Sequence, residues 1–278
     1  MSTADLVEKL KGLAKAYRLA QEAEAVKRRP QGRELRLGQL IAQLHNLAKQ
    51  LPLDQNTQRE IEDWLEGCRS ALESRKAIVK QTFGHELDAL LQQRAISLQG
   101  QHPNLKAGLY SIELNLDRWI ARIWYGPKHE LLGKAPLTPS AVAKTIGDIN
   151  RKLTSRPFRD ELFLTTLHAA YQAALGSLNR ADGDPVPILT VLKEFVFHIQ
   201  SKKFLADPRR ENFTGYGRAF FSYDLFRLRQ RTLSGKELHL DIAPRAKTTK
   251  RENFLWIPSD EHGNGSCYSD LSFKEVSS

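Results

Sequence analysis

The sequence predicts a mainly α protein of the α+β class, divided into stretches 1–100, 101–180 and 181–278. Three observations lead there. Through the first hundred residues apolar side chains recur every three or four positions, with only two prolines, Pro30 and Pro52, and no strand signal. Between Lys106 and Tyr125 the period drops to two. From residue 181 onward, helical segments give way to short alternating runs separated by turn formers.

In the first stretch a helix is expected over 3–27, with Leu6, Leu10, Leu13 and Tyr17 on one face. The basic run Lys27-Arg28-Arg29 followed by Pro30 ends it, because cations suit a helix C-terminus and proline cannot continue the ladder. A second helix over 34–51 sets Leu37, Leu40, Ile41, Leu44, Leu47, Ala48 and Leu51 at amphipathic spacing. The turn LPLDQNT follows, with Asn56 or Thr57 as the expected N-cap. A third helix carries Ile61, Trp64, Leu65, Cys68, Leu72 and Val79, and continues to 96 with a kink near Gly84. Short connections make this an antiparallel bundle, structural or dimerising. His45 and His85 are isolated and read as surface or capping groups.

In the middle, where the period changes from Lys106, alternation over 109–115 and 119–125 across Asn115-Leu116-Asp117-Arg118 predicts a β-hairpin. Apolar residues fall on both of its faces, so it is expected to pack against the helices rather than lie open to water. GLY at 108–110 and WYG at 124–126 resemble the paired strands of the GIY-YIG nucleases. The resemblance covers about twenty residues. It implies that Tyr110, with a downstream arginine and glutamate, binds metal and polarises a phosphate. This chain departs from the pattern in its thirteen-residue gap, in Trp124, and in having no clear arginine–glutamate pair on a following helix.

Thr138-Pro139 then reads as an N-cap and first helical residue. Ala143 and Gly147 resemble the first helix and turn of helix-turn-helix regulators, but the stripe Val142, Ile146, Ile149, Leu153 predicts one continuous helix over 140–153. Another helix begins near Ser155-Arg156-Pro157, with His168 packed among its apolar residues. Asp182 and Asp184 flank Gly183 in a turn-rich loop and lack the ligand count for calcium.

The last stretch predicts a helix over 187–203, a short helical piece over 209–213, and a longer helix over 218–231. ELHLDIA, the loop PRAKTTKREN, FLWIP and SCYSDLSF follow as strands and a connection. Helix–helix–helix–strand–loop–strand is the order of a winged helix, so a winged-helix-like region is expected. On the 218–231 helix Arg227 and Arg231 share one edge, Arg218 and Arg229 the other, with apolar patches between. Arg245, Lys247, Lys250 and Arg251 would sit near a hairpin tip, where such a wing neutralises phosphates.

The charge distribution agrees. The chain carries a net +10, and residues 204–251 hold eleven basic residues against five acids. An excess of this sign favours polyanionic partners. Two distant cysteines, Cys68 and Cys267, do not make a disulfide framework and are expected reduced. Asp260, Glu261, His262, Cys267 and Asp270 read as a Gly-rich turn between strands rather than a metal site, and Asp241 with Glu237 and Lys236 lacks the spacing of a metal-dependent nuclease. No membrane span or signal core is evident, so a cytoplasmic location is expected.

The expected function is a non-catalytic nucleic-acid-binding accessory subunit, DNA being the expected polymer. Arg227, Arg231, Arg245, Lys247, Lys250 and Arg251 would contact it, with no metal, cofactor or small-molecule ligand. Such an adaptor docks on a larger protein partner, and an ATPase-driven bacterial genome-maintenance or phage-defence assembly would fit. The alternatives are a protein-only scaffold, because winged helices also dock proteins, and a GIY-YIG-like nuclease.

Overall fold

The computed structural model describes residues 3–276, with side chains from residue 7 onward, so the Leu6 side chain lies outside the described residues. The fold is mixed α+β. The chain divides into two compact units: Met1–Leu105, Ile112–Arg122 and Lys134–Thr145 form the first, and Lys106–Ser111, Ile123–Gly133 and Ile146–Ser278 the second.

The first unit is built on three helices, α1 (Thr3–Arg28), α2 (Glu34–Ala48) and α3 (Gln55–Gln92). Their apolar stripes meet in a core of Ala23 and Val26 from α1, Leu37, Leu40, Ile41 and Leu44 from α2, and Leu65 and Cys68 from α3. Burial pushes the Cys68 thiol upward, so it behaves as a small apolar side chain. Asp54, not Asn56 or Thr57, caps α3: its carboxylate accepts from the Thr57 N–H at 3.0 Å and the Thr57 hydroxyl at 2.6 Å. The third helix runs through Gly84 as a single element. Arg36 grips Glu22 with two bonds of 2.7 Å, tying α2 to α1. Gly12 permits close approach, since a Cβ there would stand 2.7 Å from Leu51 Cδ2.

The expected hairpin is part of a five-stranded sheet of consecutive strands, β1 (Leu98–Gln101), β2 (Asn104–Ala107), β3 (Tyr110–Asn115), β4 (Ile120–Tyr125) and β5 (Glu130–Pro136). Burial alternates along β3 and β4. Tyr110, Ile112 and Leu114, and then Ala121, Ile123 and Tyr125, are inside, while the intervening residues are only half-buried. Along these two strands one face is buried and the other half-buried. α4 (Pro139–Thr154) follows as one continuous helix capped by Thr138, whose hydroxyl accepts from the Ala141 N–H.

In the second unit α5 (Asp160–Leu178) ends on Asn179, which adopts the left-handed conformation common at helix C-termini. β6 (Val186–Pro187), α6 (Ile188–His198), α7 (Lys202–Ala206), α8 (Arg218–Arg227), β7 (Thr232–Leu233), β8 (Lys236–Ile242), β9 (Leu255–Pro258) and β10 (Gly265–Glu275) complete it. The sheet order is β6-β10-β8-β7, with β9 also paired to β10. Phe163, Leu167 and Tyr171 of α5, Val191 and Phe195 of α6, Phe221 and Leu225 of α8, and Leu271 and Phe273 of β10 form its core.

This strand pairing corrects the wing. β10 pairs with β8 through Leu271–Leu240 and Phe273–Leu238, and with β9 through Cys267–Trp256. The strands on either side of the basic loop are each hydrogen-bonded to β10. The loop is thus a crossover rather than a hairpin tip, and the true hairpin turn lies between β9 and β10. Asp260 holds that turn by accepting from the backbone N–H groups of His262 (2.9 Å) and Asn264 (3.1 Å).

His168 lies edge-on to Phe273, ring centroids 4.8 Å apart. Burial, aided by Lys236 and opposed by Asp182, holds its pKa below the ordinary value. The unfolded chain therefore takes up the proton first, near pH 6.5. Stability contributed by the neutral ring is complete above that pH and is lost as pH falls toward the depressed folded value. His168→Gln should flatten the dependence of unfolding free energy on pH between about 7 and 5, read by urea titration; a slope equal to wild type would contradict this.

Candidate nucleic-acid interface

Within the basic, aromatic-rich segment 204–251 lies one buried carboxylate. Asp224 sits on the inner side of α8 and is 3% exposed. Arg156 donates to both of its oxygens, at 2.9 and 3.0 Å. Arg227, one turn along α8, brings Nη2 to 2.7 Å from Oδ1, and the Tyr216 hydroxyl donates at 2.5 Å. Two cations thus face one anion. Aromatic rings accommodate the excess charge: the Arg156 guanidinium lies 4.4 Å from the Phe220 centroid, and that of Arg227 lies 4.0 Å from Phe158. Burial and the neighbouring Asp224 charge push the Tyr216 phenol well up, so it remains a donor at all ordinary pH values.

Within this cluster the Arg227 side chain is turned inward. Its guanidinium is mostly buried, and Nη1 donates to the Arg156 carbonyl at 3.2 Å. α8 stops at Arg227, four residues short of the expected end, and Arg231 is half-buried beyond it. α8 is further held by Ser222, whose hydroxyl donates to the Trp256 carbonyl at 2.6 Å. A helix fixed through its own polar groups in this way is held against the core of the second unit.

The crossover loop 243–254 is where the remaining expected residues sit. It folds into two short 3-10 turns, Lys247–Thr249 and Arg251–Asn253. The Thr248 and Thr249 hydroxyls donate back to the Arg245 and Ala246 carbonyls at 2.9 and 3.1 Å. Arg218 anchors the far side by donating to the carbonyls of Arg251 (2.6 Å) and Phe254 (2.7 Å). Lys247 donates to Asp270 at 2.6 Å, and Arg251 to Glu130 at 3.3 Å. Burial opposes ionisation of Asp270, but Lys247 and Ser269 outweigh it and hold the carboxyl below its usual range. Arg245 and Lys250 are exposed. Of the six sequence-predicted residues, the structure gathers Arg245, Lys247, Lys250 and Arg251 on one loop, turns Arg227 inward onto Asp224, and leaves Arg231 half-buried beyond α8.

The residues that resembled a nuclease motif serve packing. Tyr110 is buried, its hydroxyl donating to Asn150 Oδ1 at 2.9 Å, and burial pushes the phenol upward. Gly126 has φ +58°, and a Cβ there would stand 2.5 Å from the Trp256 ring. Tyr125 packs edge-on to that ring, centroids 5.2 Å apart. His129 lies 3.9 Å from the Cys267 sulfur. Burial raises the Cys267 thiol, while burial, Arg218 and Arg251 lower His129, so the pair is held neutral. No group of three or more His, Cys, Asp or Glu side chains among the described residues is placed to hold a metal.

Sequence reasoning missed Arg156, Asp270 and Glu130 as partners. The i, i+3 spacing of Asp224 and Arg227 was the one local signal available; Arg156 lies 68 positions from Asp224. Compared with protein-family models, curated proteins and solved structures, the chain matches none.

Removing the anion leaves two cations facing each other in a mostly buried site. Asp224→Asn should therefore destabilise the protein by about 3 kcal/mol, the usual cost of breaking a buried ion pair. Glu252→Gln, on the exposed side of the loop, should change stability by no more than about 0.5 kcal/mol. Chemical denaturation checks both.

Proposed function

We propose that this chain is a non-catalytic, DNA-binding accessory subunit that docks on a larger assembly. The observation that carries the reading is the crossover loop: it presents four exposed cations, of which Lys247 and Arg251 are ion-paired to Asp270 and Glu130 and Arg245 and Lys250 stand outward. A pre-ordered loop binds phosphates without a further ordering cost. The net +10 of the chain supplies the long-range attraction that brings a polyanion to it. Arg245 and Lys250 make the phosphate contacts, and Arg231, earlier in the chain and half-buried, is a secondary cation. Contacts of this kind position a nucleic acid and carry little sequence information. The burial of Tyr110 counts against the nuclease alternative, which needs that hydroxyl on a phosphate.

A salt titration of binding to duplex DNA tests the reading. Each phosphate contact contributes about 0.9 to the slope of log K against log salt. Arg245→Ala/Lys250→Ala should lower the slope by about 2 while leaving the fold intact. An unchanged slope rejects this site, and absence of DNA binding rejects the function. Magnesium-dependent cleavage lost in Tyr110→Phe would replace it with the nuclease reading.

A further inference from the structure

Helix α1 carries an apolar ridge that stands out from the rest of the first unit. Val7 is 44% exposed, Leu10 56%, Leu13 44% and Tyr17 64%. Their spacing places them on one side of the helix. Beside the ridge lies an apolar groove of about 440 Å³. Leu13 and Tyr17 form one wall, Leu44 and Leu51 the floor, and Ile61 and Trp64 of α3 the other wall. The three helices have the cross-section of a four-helix bundle with one helix absent.

We propose that the missing helix is α1 of a second copy of this chain, in an antiparallel two-fold dimer. Two observations select a second copy over an unrelated helix. First, ridge and groove share α1, so a two-fold axis seats each ridge in the other copy's groove and repeats the same contact twice. Second, the charges complement each other across that contact. Residues 7–21 of α1 hold four cations and one acid, whereas residues 54–66, at the start of α3, hold five acids and one cation. In the dimer Lys11, Lys15 and Arg18 of one copy run beside Glu60, Glu62 and Asp63 of the other, all of them exposed in the single chain. Opposite charge across a contact fixes its register and suppresses wrong partners. The ridge is a contiguous apolar surface of the kind that marks an interaction site.

Analytical ultracentrifugation of the full chain, 31.6 kDa per copy, without nucleic acid, tests this apart from the DNA reading. Twice the single-chain mass is expected at micromolar concentration. Leu10→Glu/Tyr17→Glu should give the single-chain mass with unchanged helical circular dichroism, because both positions are exposed. Lys11→Glu/Lys15→Glu should raise the dimer Kd about tenfold or more, and adding Glu60→Lys/Asp63→Lys should restore it. A single-chain mass at every concentration overturns the proposal. So does a dimer indifferent to Leu10→Glu/Tyr17→Glu, or a charge reversal that the second pair fails to rescue.

Discussion

Neutralisation of the Asp224 carboxylate is the constraint on which the second unit depends. An ionised carboxylate at 3% exposure is tolerable only with close cations and donors around it. Arg156, Arg227 and Tyr216 supply them, and each comes from a different point along the chain: the connection before α5, the end of α8, and the segment leading into α8. Holding these three together fixes α8 in rotation and depth. Phe221 and Leu225 then face the core, and Ser222 meets the β9 carbonyl of Trp256. Within the segment the Arg227 guanidinium lies on the Phe158 ring rather than reaching outward, and Phe220 carries that of Arg156.

The position of the crossover loop follows from the sheet. β10 is long enough, at eleven residues, to pair with β8 over its C-terminal part and with β9 over its first turn-proximal residues. The chain between β8 and β9 must therefore travel from one partner of β10 to another, and it does so over 243–254. Such a path is held by more than its two ends. Arg218 caps its last carbonyls, and the Lys247–Asp270 and Arg251–Glu130 pairs fasten its side chains. These exposed pairs contribute little energy individually. Their effect is to set which cations are engaged, leaving Arg245 and Lys250 outward.

The first unit follows a different logic. Its core is a seam of small and aliphatic side chains, with ion pairs such as Glu22–Arg36 at the edges. The apolar stripe of α1 continues past the end of that core. Within the described residues, the first half of the helix has more apolar surface than α2 and α3 cover, whereas Ala23 and Val26 in its second half are fully buried.

Most elements were legible from local pattern. The stripe of α2, the proline that ends α1, Thr138-Pro139 at the start of α4, and the alternation of β3 and β4 are all set by neighbours a few residues apart, where backbone geometry dictates the period. β5 escaped because ELLGKAP neither alternates cleanly nor carries β-branched residues, and its pairing comes from the strand before it. The location of positive charge at residues 204–251 was also plain in the amino-acid order, because charge is additive along a chain. Which of those cations are free was not. Asp224 with Arg156, Asp270 with Lys247, and Glu130 with Arg251 join positions separated by 23 to 121 residues. Only the packed sheet and helices bring them within hydrogen-bond reach. Sequence alone determined most of the helices, half of the strands and the sign of the charge; tertiary structure decided that Arg227 is paired with Asp224, that the basic loop crosses over, and that Lys247 and Arg251 are ion-paired while Arg245 and Lys250 stand outward, because ion pairing acts through space and carries no period along the chain.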